Sequence, residues 1–372
     1  MKRSDTLFLA CCCLILSFGC GDSEETSDSI SDSTVSDAVN ETPEYTLYAS
    51  DTISSDLLVD YGIFTVDDIS ASSSGYIALL DGSKATVTLL DTSGTVHTVG
   101  GSGSGPGEYQ WPKAIAVSDN GSMAVSDFAG GFVRILDPGL DSYVDMYGFV
   151  MSNPGKMVLL DSGDLVGMRI IFTSDDGQTS IGHQTALWRG TDPDPSTVYV
   201  ESMRPFDLND FGWSLIAPYP MTAGPDGVVY TADLSMDRYV LTSYAPDGTE
   251  LWSVQRPFEK TEKTQEELDT EREMVSRLMQ QTAHQADYTP NQYHFAVSDL
   301  SLGPRGNLWA RRPGSDSVSF DVYNPSTGEF LYSASAGSEY QLLEVTPAGI
   351  LAVLPGASQS LLLLEANGEP NF

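Results

Sequence analysis

Residues 100–138, GGSGSGPGEYQWPKAIAVSDNGSMAVSDFAGGFVRILDP, decide the fold. Short apolar or alternating runs sit between turn residues, which is the mark of strands. Residues 114–117 read as one strand and Asn120-Gly121 as a hairpin turn. Residues 123–126 and 132–136 supply the second and third strands, and 143–149 a fourth. Four short antiparallel strands in one unit cannot bury both faces alone, so copies are expected on either side.

The copies are present with looser spelling. Residues 69–72, 76–80, 87–90 and 96–99 make one unit. Residues 157–160, 165–171, 186–189 and 198–201 make another, with a longer hairpin at Asp175-Asp176-Gly177. Two more follow, at 221–223, 228–232, 239–244 and 251–254, and at 300–302, 308–311, 319–323 and 330–334. The last unit has three strands, at 342–345, 350–354 and 361–364. A repeat of roughly 40 to 50 residues falls in the propeller range. Residues 45–50, YTLYAS, form a strand with no local partner. They are expected to pair beside 361–364, closing an all-β, six-bladed propeller and leaving few open edges.

The chain resembles propellers of the NHL-repeat type, and the six-bladed β-propeller lipoproteins of bacteria. The residues that carry the likeness are Gly105-Pro106-Gly107-Glu108-Tyr109, Pro112, Ile115-Ala116-Val117, Asn120-Gly121, Val125-Ser126-Asp127 and Arg134-Ile135. Gly306-Asn307-Leu308-Trp309 and Phe320-Asp321-Val322-Tyr323 match again. The resemblance covers residues 45–372. It implies the fold and leaves activity open, because fold does not fix function.

The first residues point to export. Lys2 and Arg3 precede an apolar run over residues 7–18, and Gly19-Cys20 follows. A basic start, a run of 12 residues and a small residue at the break make a signal peptide over 1–19. The run is too short to span a bilayer, which needs about 20 apolar residues. Gly19-Cys20 resembles a lipobox, in which the cysteine is acylated. It departs from that pattern at Ser17 and Phe18. An ordinary cleaved signal is the alternative. The four cysteines are Cys11, Cys12, Cys13 and Cys20, so a chain cut before Cys20 keeps one thiol. A disulfide framework and a thiolate metal site are thereby excluded within that chain. Residues 20–44 are Ser-rich and acidic, with Asp22, Glu24, Glu25, Asp28, Asp32, Asp37, Glu41 and Glu44 and no basic residue. Such a stretch buries too little surface to order itself and reads as a disordered tether. The expected location is the bacterial cell envelope, lipid-anchored at the outer membrane on its periplasmic or surface side.

The chain carries 52 acidic and 18 basic residues, a net charge of −34. Nucleic-acid binding needs a basic footprint and is excluded. Attraction to anionic headgroups is excluded on the same ground, so membrane contact is through the anchor only. A monomer is expected.

Antiparallel strands put successive connections on alternate faces of the disc. The first-to-second turns, such as Asn120-Gly121 and Asp226-Gly227, read as structural. The other face carries the crossings between units. Residues 100–112 bring Glu108, Tyr109 and Trp111; residues 203–220 bring Phe206, Phe211, Trp213 and Tyr219. Residues 258–292 hold a helical insertion at about 259–288, opened by a Thr264/Glu267 capping box. Leu268, Val275, Leu278, Met279 and Ala286 form its apolar stripe, and the helix is expected to lie as a flap at the mouth of the ring.

Charges end the second strands: Asp81, Asp127, Arg169, Asp233 and Arg311 with Arg312. In equivalent blades they would face one another near the axis, where a mixed ring could bind a small polar ligand or satisfy itself. His97, His183, His284 and His294 do not end inner strands, which argues against a zinc site. Asp81, Asp127 and Asp233 could offer oxygens to calcium or magnesium, but the arginines would compete. Gly-x-Ser-x-Gly is missing, and the glycines of 100–107 lead into a strand, so they are no phosphate loop. Two classes remain. One is a binding or scaffold module for an unidentified protein or small polar ligand, without a cofactor. The other is a hydrolase or lyase with a divalent cation in the axial channel.

Overall fold

The computed structural model describes residues 43–149, 152–175, 178–206, 217–281, 288–314, 317–356 and 359–366. The signal peptide, Cys20, all but the last two residues of the tether, Phe211, Trp213 and His284 lie outside the described residues.

The chain folds as an all-β propeller. Four sheets are four-stranded and antiparallel, each in chain order. The first joins β2 (Asp68–Ala71), β3 (Ile77–Asp81), β4 (Thr86–Leu90) and β5 (Val96–Gly100). The second joins β6 (Pro112–Val117), β7 (Met123–Asp127), β8 (Phe132–Leu136) and β9 (Tyr143–Tyr147). The third joins β10 (Pro154–Leu159), β11 (Leu165–Asp175), β12 (Gln178–Trp188) and β13 (Thr197–Pro205). The fourth joins β14 (Met221–Ala223), β15 (Val229–Ala232), β16 (Tyr239–Tyr244) and β17 (Glu250–Arg256).

The remaining strands form one eight-stranded sheet. It contains β18 (Asp299–Leu302), β19 (Leu308–Arg312), β20 (Ser317–Tyr323) and β21 (Phe330–Gly337). It also contains β22 (Leu342–Thr346), β23 (Gly349–Val353), β24 (Leu361–Ala366) and, between the two runs, β1 (Glu44–Ile53). β1 pairs antiparallel with β24 from Leu47↔Ala366 to Ile53↔Leu361, as the pattern of residues 45–50 led us to expect. It also pairs parallel with β21, at Glu44↔Ser333, Tyr45↔Ala334 and Thr46↔Ser335. That second pairing, which makes one sheet of the last two units, is not visible in the repeat.

Burial explains why the units are spelled unevenly. β3 (IALLD) and β7 (MAVSD) are buried along their whole length, sandwiched between neighbouring sheets. Outer strands such as β9 and β17 alternate and carry exposed Tyr143, Val144 and Leu251. The constraint on residue type therefore weakens outward. The first strands β2, β6, β10, β14, β18 and β22 touch one another in a closed cycle, β22 returning to β2. They form the wall of a central channel.

Among the described residues two α-helices interrupt the sheets. A six-residue helix, α1 (Ser55–Asp60), links β1 to β2 and buries Leu58 in the core shared by the first and last units. The longer α2 (Gln265–Gln281) begins with the expected box: Glu267 N–H donates to Thr264 Oγ1 at 3.2 Å and Thr264 N–H to Glu267 Oε2 at 2.7 Å. Its Val275 packs on Ile170 and Ile181 of the long β11–β12 hairpin and on Tyr288. Lys263 and the Tyr288 hydroxyl both engage the buried Glu271 carboxylate. Of the stripe, Leu268 is half-buried, while the side chains of Leu278, Met279 and Ala286 lie outside the described residues.

Candidate functional site: the axial cavity

The ring of first strands encloses a cavity of about 470 Å³. At one end it is lined by every first-to-second turn in the ring, through Ser73, Asp119, Asp161, Pro225, Arg305 and Pro347. These turns brace each other. Ser73 Oγ donates to Asp119 Oδ2 at 2.7 Å, and Asn120 N–H to Asp161 Oδ1 at 3.0 Å. The short turns are therefore the rim of the channel as well as hairpin connections.

Toward the other end the wall becomes charged. Asp68 on β2, Lys156 on β10, Asp299 on β18 and Glu344 on β22 face the cavity, and Arg311 joins them from β19. Lys156 Nζ forms an ion pair with Asp299 and donates to the Leu300 carbonyl at 2.7 Å. Asp68 Oδ2 accepts from Ile115 N–H at 2.8 Å and Oδ1 from Ile69 N–H at 3.0 Å. Asp68 thus satisfies the inward-facing edge of β6 while lying at the channel. Burial pushes its carboxyl up to about 7, against the pull of those two N–H groups and Lys156. Glu344 rises to about 8, through burial first and then the charge of Asp299, with Lys156 and Arg311 opposing. The cluster has three carboxyl groups and two cations, and one cation is already committed to Asp299. Arg311 donates to the Leu343 carbonyl at 3.4 Å and forms no ion pair among the described residues.

The expected axial ring of Asp81, Asp127, Arg169, Asp233 and Arg311 is corrected: of these five, Arg311 alone lines the cavity. The reason is geometric. A second strand is shielded from the axis by the first strand of its own sheet. Asp81 accepts hydrogen bonds from the N–H groups of Phe64 (2.8 Å) and Lys84 (3.1 Å) and the hydroxyls of Thr65 and Ser83. Burial raises its carboxyl, but the bonds from Ser83, Phe64 and Thr65 outweigh burial and hold it below the usual range. Asp127 does the same work one unit on, accepting from the N–H groups of Gln110 (2.7 Å), Trp111 (2.8 Å) and Gly130 (3.1 Å). Each aspartate staples an incoming crossing loop to the turn after its strand. Arg169 turns outward to Gln184 Oε1, at 3.1 and 2.9 Å, over the ring of Trp188. Asp233 pairs locally with Arg238 at 2.7 Å, and Arg312 with Asp321 at 3.2 Å.

The loop-face candidates divide. The Glu108 carboxylate accepts from Gly105 N–H at 2.7 Å, inside its own loop. Tyr109 is buried beneath that loop, with Arg134 4.9 Å from its ring centre and held bidentately by Asp145 at 2.7 and 2.9 Å. Gly100 makes room for it: a Cβ there, at φ 101°, would lie 2.8 Å from the Tyr109 ring. Trp111 stays 41% exposed, edge-on to Phe128 with Lys113 4.6 Å from its ring centre. A second cavity, of about 700 Å³, lies along α2 between Lys263, Glu267, Met274 and His294, and shares Ser298 with the axial cavity. The helix thus stands beside the channel, packed on the third sheet.

Sequence reading missed Asp68, Lys156, Asp299 and Glu344. A signal was available: a single charge at or beside the first strand of each of four units. Among the described residues no three His, Cys, Asp or Glu side chains are placed to share a metal ion. Asp81 and Asp127 spend their oxygens on the backbone, so these residues do not fit a calcium or magnesium site.

No protein-family model matches the chain, and no curated protein matches it. Among solved structures, a streptogramin B lyase is similar at 14% identity, with 80% of this chain and 78% of that one covered and a TM-score of 0.40. The PQQ-bound aldose sugar dehydrogenase of Streptomyces coelicolor is similar at 13% identity, covering 88% and 100%, with a TM-score of 0.48. Regucalcin from Agrobacterium tumefaciens, a calcium-binding protein, is similar at 12% identity, covering 88% and 97%, with a TM-score of 0.43. Likeness at this level concerns the fold alone.

Proposed function

We propose that the protein is an exported cell-envelope lipoprotein, anchored through Cys20, whose six-bladed propeller is a binding module with the axial cavity as its ligand site. The closed cycle of six first strands supports the blade count, on the reading that the eight-stranded sheet is two blades stitched by β1. The observation that carries the binding reading is the cavity itself. At about 470 Å³ it has the size of a small-molecule pocket, and five charged side chains converge at one end of it. Its apolar middle, with Ala71, Ala116 and Val158, suits the body of a small polar ligand. The protein acts as a monomer that binds no nucleic acid and touches the membrane through its lipid alone.

Two measurements test this. A thermal-shift screen of amino acids, peptides, polyols and organic acids should yield a stabilising ligand, and Ala116→Phe, which plugs the channel, should abolish the shift. Failure of every compound, or binding undisturbed by the plug, overturns the axial site. For the anchor, Cys20→Ala should remove palmitate labelling and release the protein from the membrane fraction. Labelling that survives the substitution overturns it.

A further inference from the structure

Arg311 and Glu344 are the two unmatched charges of the axial cluster. Lys156 and Asp299 neutralise each other. Asp68 is tied to two backbone N–H groups. Among the described residues the Arg311 guanidinium makes one long bond, to the Leu343 carbonyl, and the residue lines the cavity with further donors to spare. Glu344 stands on the neighbouring first strand, in the same cavity, and is too far from Arg311 to pair with it among the described residues. Opposite charges that share a pocket without meeting fit a ligand that carries both complements. We infer that the axial cavity takes a small zwitterion, an amino acid or short peptide free at both ends, with its carboxylate on Arg311 and its ammonium on Glu344.

The chemistry at each end is specific. A guanidinium offers a planar fork that matches a carboxylate bidentately, whereas an amide or ester oxygen offers less charge to it. An ammonium presents three donors, and Glu344 accepts them only as the carboxylate. The groups that face Glu344 are Asp299, Lys156, Asp68 and Arg311. Empty and near pH 7, the burial of Glu344 keeps a proton on it. The incoming ammonium replaces that proton, so binding releases it to solvent and tightens as pH rises from about 6 to about 7.5, below the point near 7.7–8.0 at which a peptide's α-amino group loses its own charge. A ligand with only a carboxylate would behave in the opposite way, because a protonated Glu344 repels it less.

The inference rests on the axial-binding reading, and the experiment separates the two. Calorimetry on the full chain would use leucine and alanyl-leucine, each against its N-acetylated and its amidated form, at about pH 6 and about pH 7, where every free α-amino group is still mostly charged. The free zwitterions are expected to bind at least about tenfold more tightly than either blocked form, as loss of one charge-assisted bond requires. Proton release is expected to show as a dependence of the heat on buffer. Glu344→Gln should erase the discrimination against the N-acetyl form alone, and Arg311→Gln the discrimination against the amide alone. Circular dichroism on both variants establishes that they fold, and Arg311→Lys is the fallback if Arg311→Gln does not. Blocked forms that bind as well as the free ones overturn the zwitterion, as does binding of neither free compound. A polyol held in the cavity with equal affinity by wild type and both variants overturns the zwitterion alone and leaves the binding module standing.

Discussion

Lys156 and Asp299 form an ion pair that skips a strand: β14 stands between their strands in the ring, and the lysine reaches past it along the channel wall. The pair ties two sheets that are not neighbours. Both side chains are about a fifth exposed, at 23% and 22%, so solvent screening reduces their coupling without removing it. Lys156→Met and Asp299→Asn are each expected to cost about 1–3 kcal/mol, since each leaves a charge beside the cavity without its partner. The double variant should cost less than the sum, with a coupling of about 1 kcal/mol or more. Urea unfolding of the four proteins measures it, and strict additivity would refute the bracing role.

Asp127 separates a staple from a ligand. Asp127→Ala strands three backbone N–H groups, on Gln110, Trp111 and Gly130, in a site where the carboxylate is fully buried. The expected loss is about 2–4 kcal/mol of stability. Affinity for an axial ligand, measured by calorimetry on the folded fraction, should stay within about twofold of wild type, a difference below roughly 0.5 kcal/mol. A large loss of affinity with unchanged stability would return Asp127 to the site.

The seam made by β1 can be tested at one side chain. Leu47 is buried in the core shared by β1 and the last two units, together with Tyr332, Val345 and Leu362. Leu47→Ala should cost about 2–4 kcal/mol. Tyr48, next in the chain and 41% exposed, should tolerate Ser within about 0.5 kcal/mol. Equal effects at the two positions, read by thermal denaturation, would mean that β1 is not clamped in this register.

Glu344 sets a pH dependence. Its folded carboxyl lies at about 8, well above the ordinary 4.5, so between those values the folded chain binds more protons than the unfolded one. Stability from this group is therefore full at low pH and is lost as pH rises through about 8. Between pH 7 and 9 the loss should be about 1 kcal/mol, and Glu344→Gln, which cannot titrate, should flatten that part of the curve. Parallel profiles for the two proteins would show that Glu344 ionises normally.

Strand count, strand order and the closing partner of β1 were legible because they rest on side-chain alternation and turn residues, which are local. The buried Met123–Asp127 strand could be read outright, while outer strands such as Tyr143–Tyr147 could only be inferred from position. The site was harder. Asp68, Lys156 and Asp299 each stand one residue before the apolar run that marks their strand, and a charge at that position reads as loop. Asp81 and Asp127 drew attention because they end well-formed strands, yet those carboxylates are consumed by backbone N–H groups. Which strand of a unit faces the axis is a tertiary fact, and alternation along one strand does not encode it.

The clasp has a consequence for how the chain is made. Ser50 Oγ donates to the Leu363 carbonyl across 313 residues of sequence. On the ribosome, which releases the N-terminal end first, β1 emerges long before β24 exists. Every other sheet can assemble from contiguous chain, whereas this one stays open until β24, Leu361–Ala366, has been synthesised. Leu47 and Ile53 must wait through that interval for their partners on β24, and a nascent chain cut short before Leu361 would leave residues 47–53 of β1 and the outer edge of β23 without a paired strand.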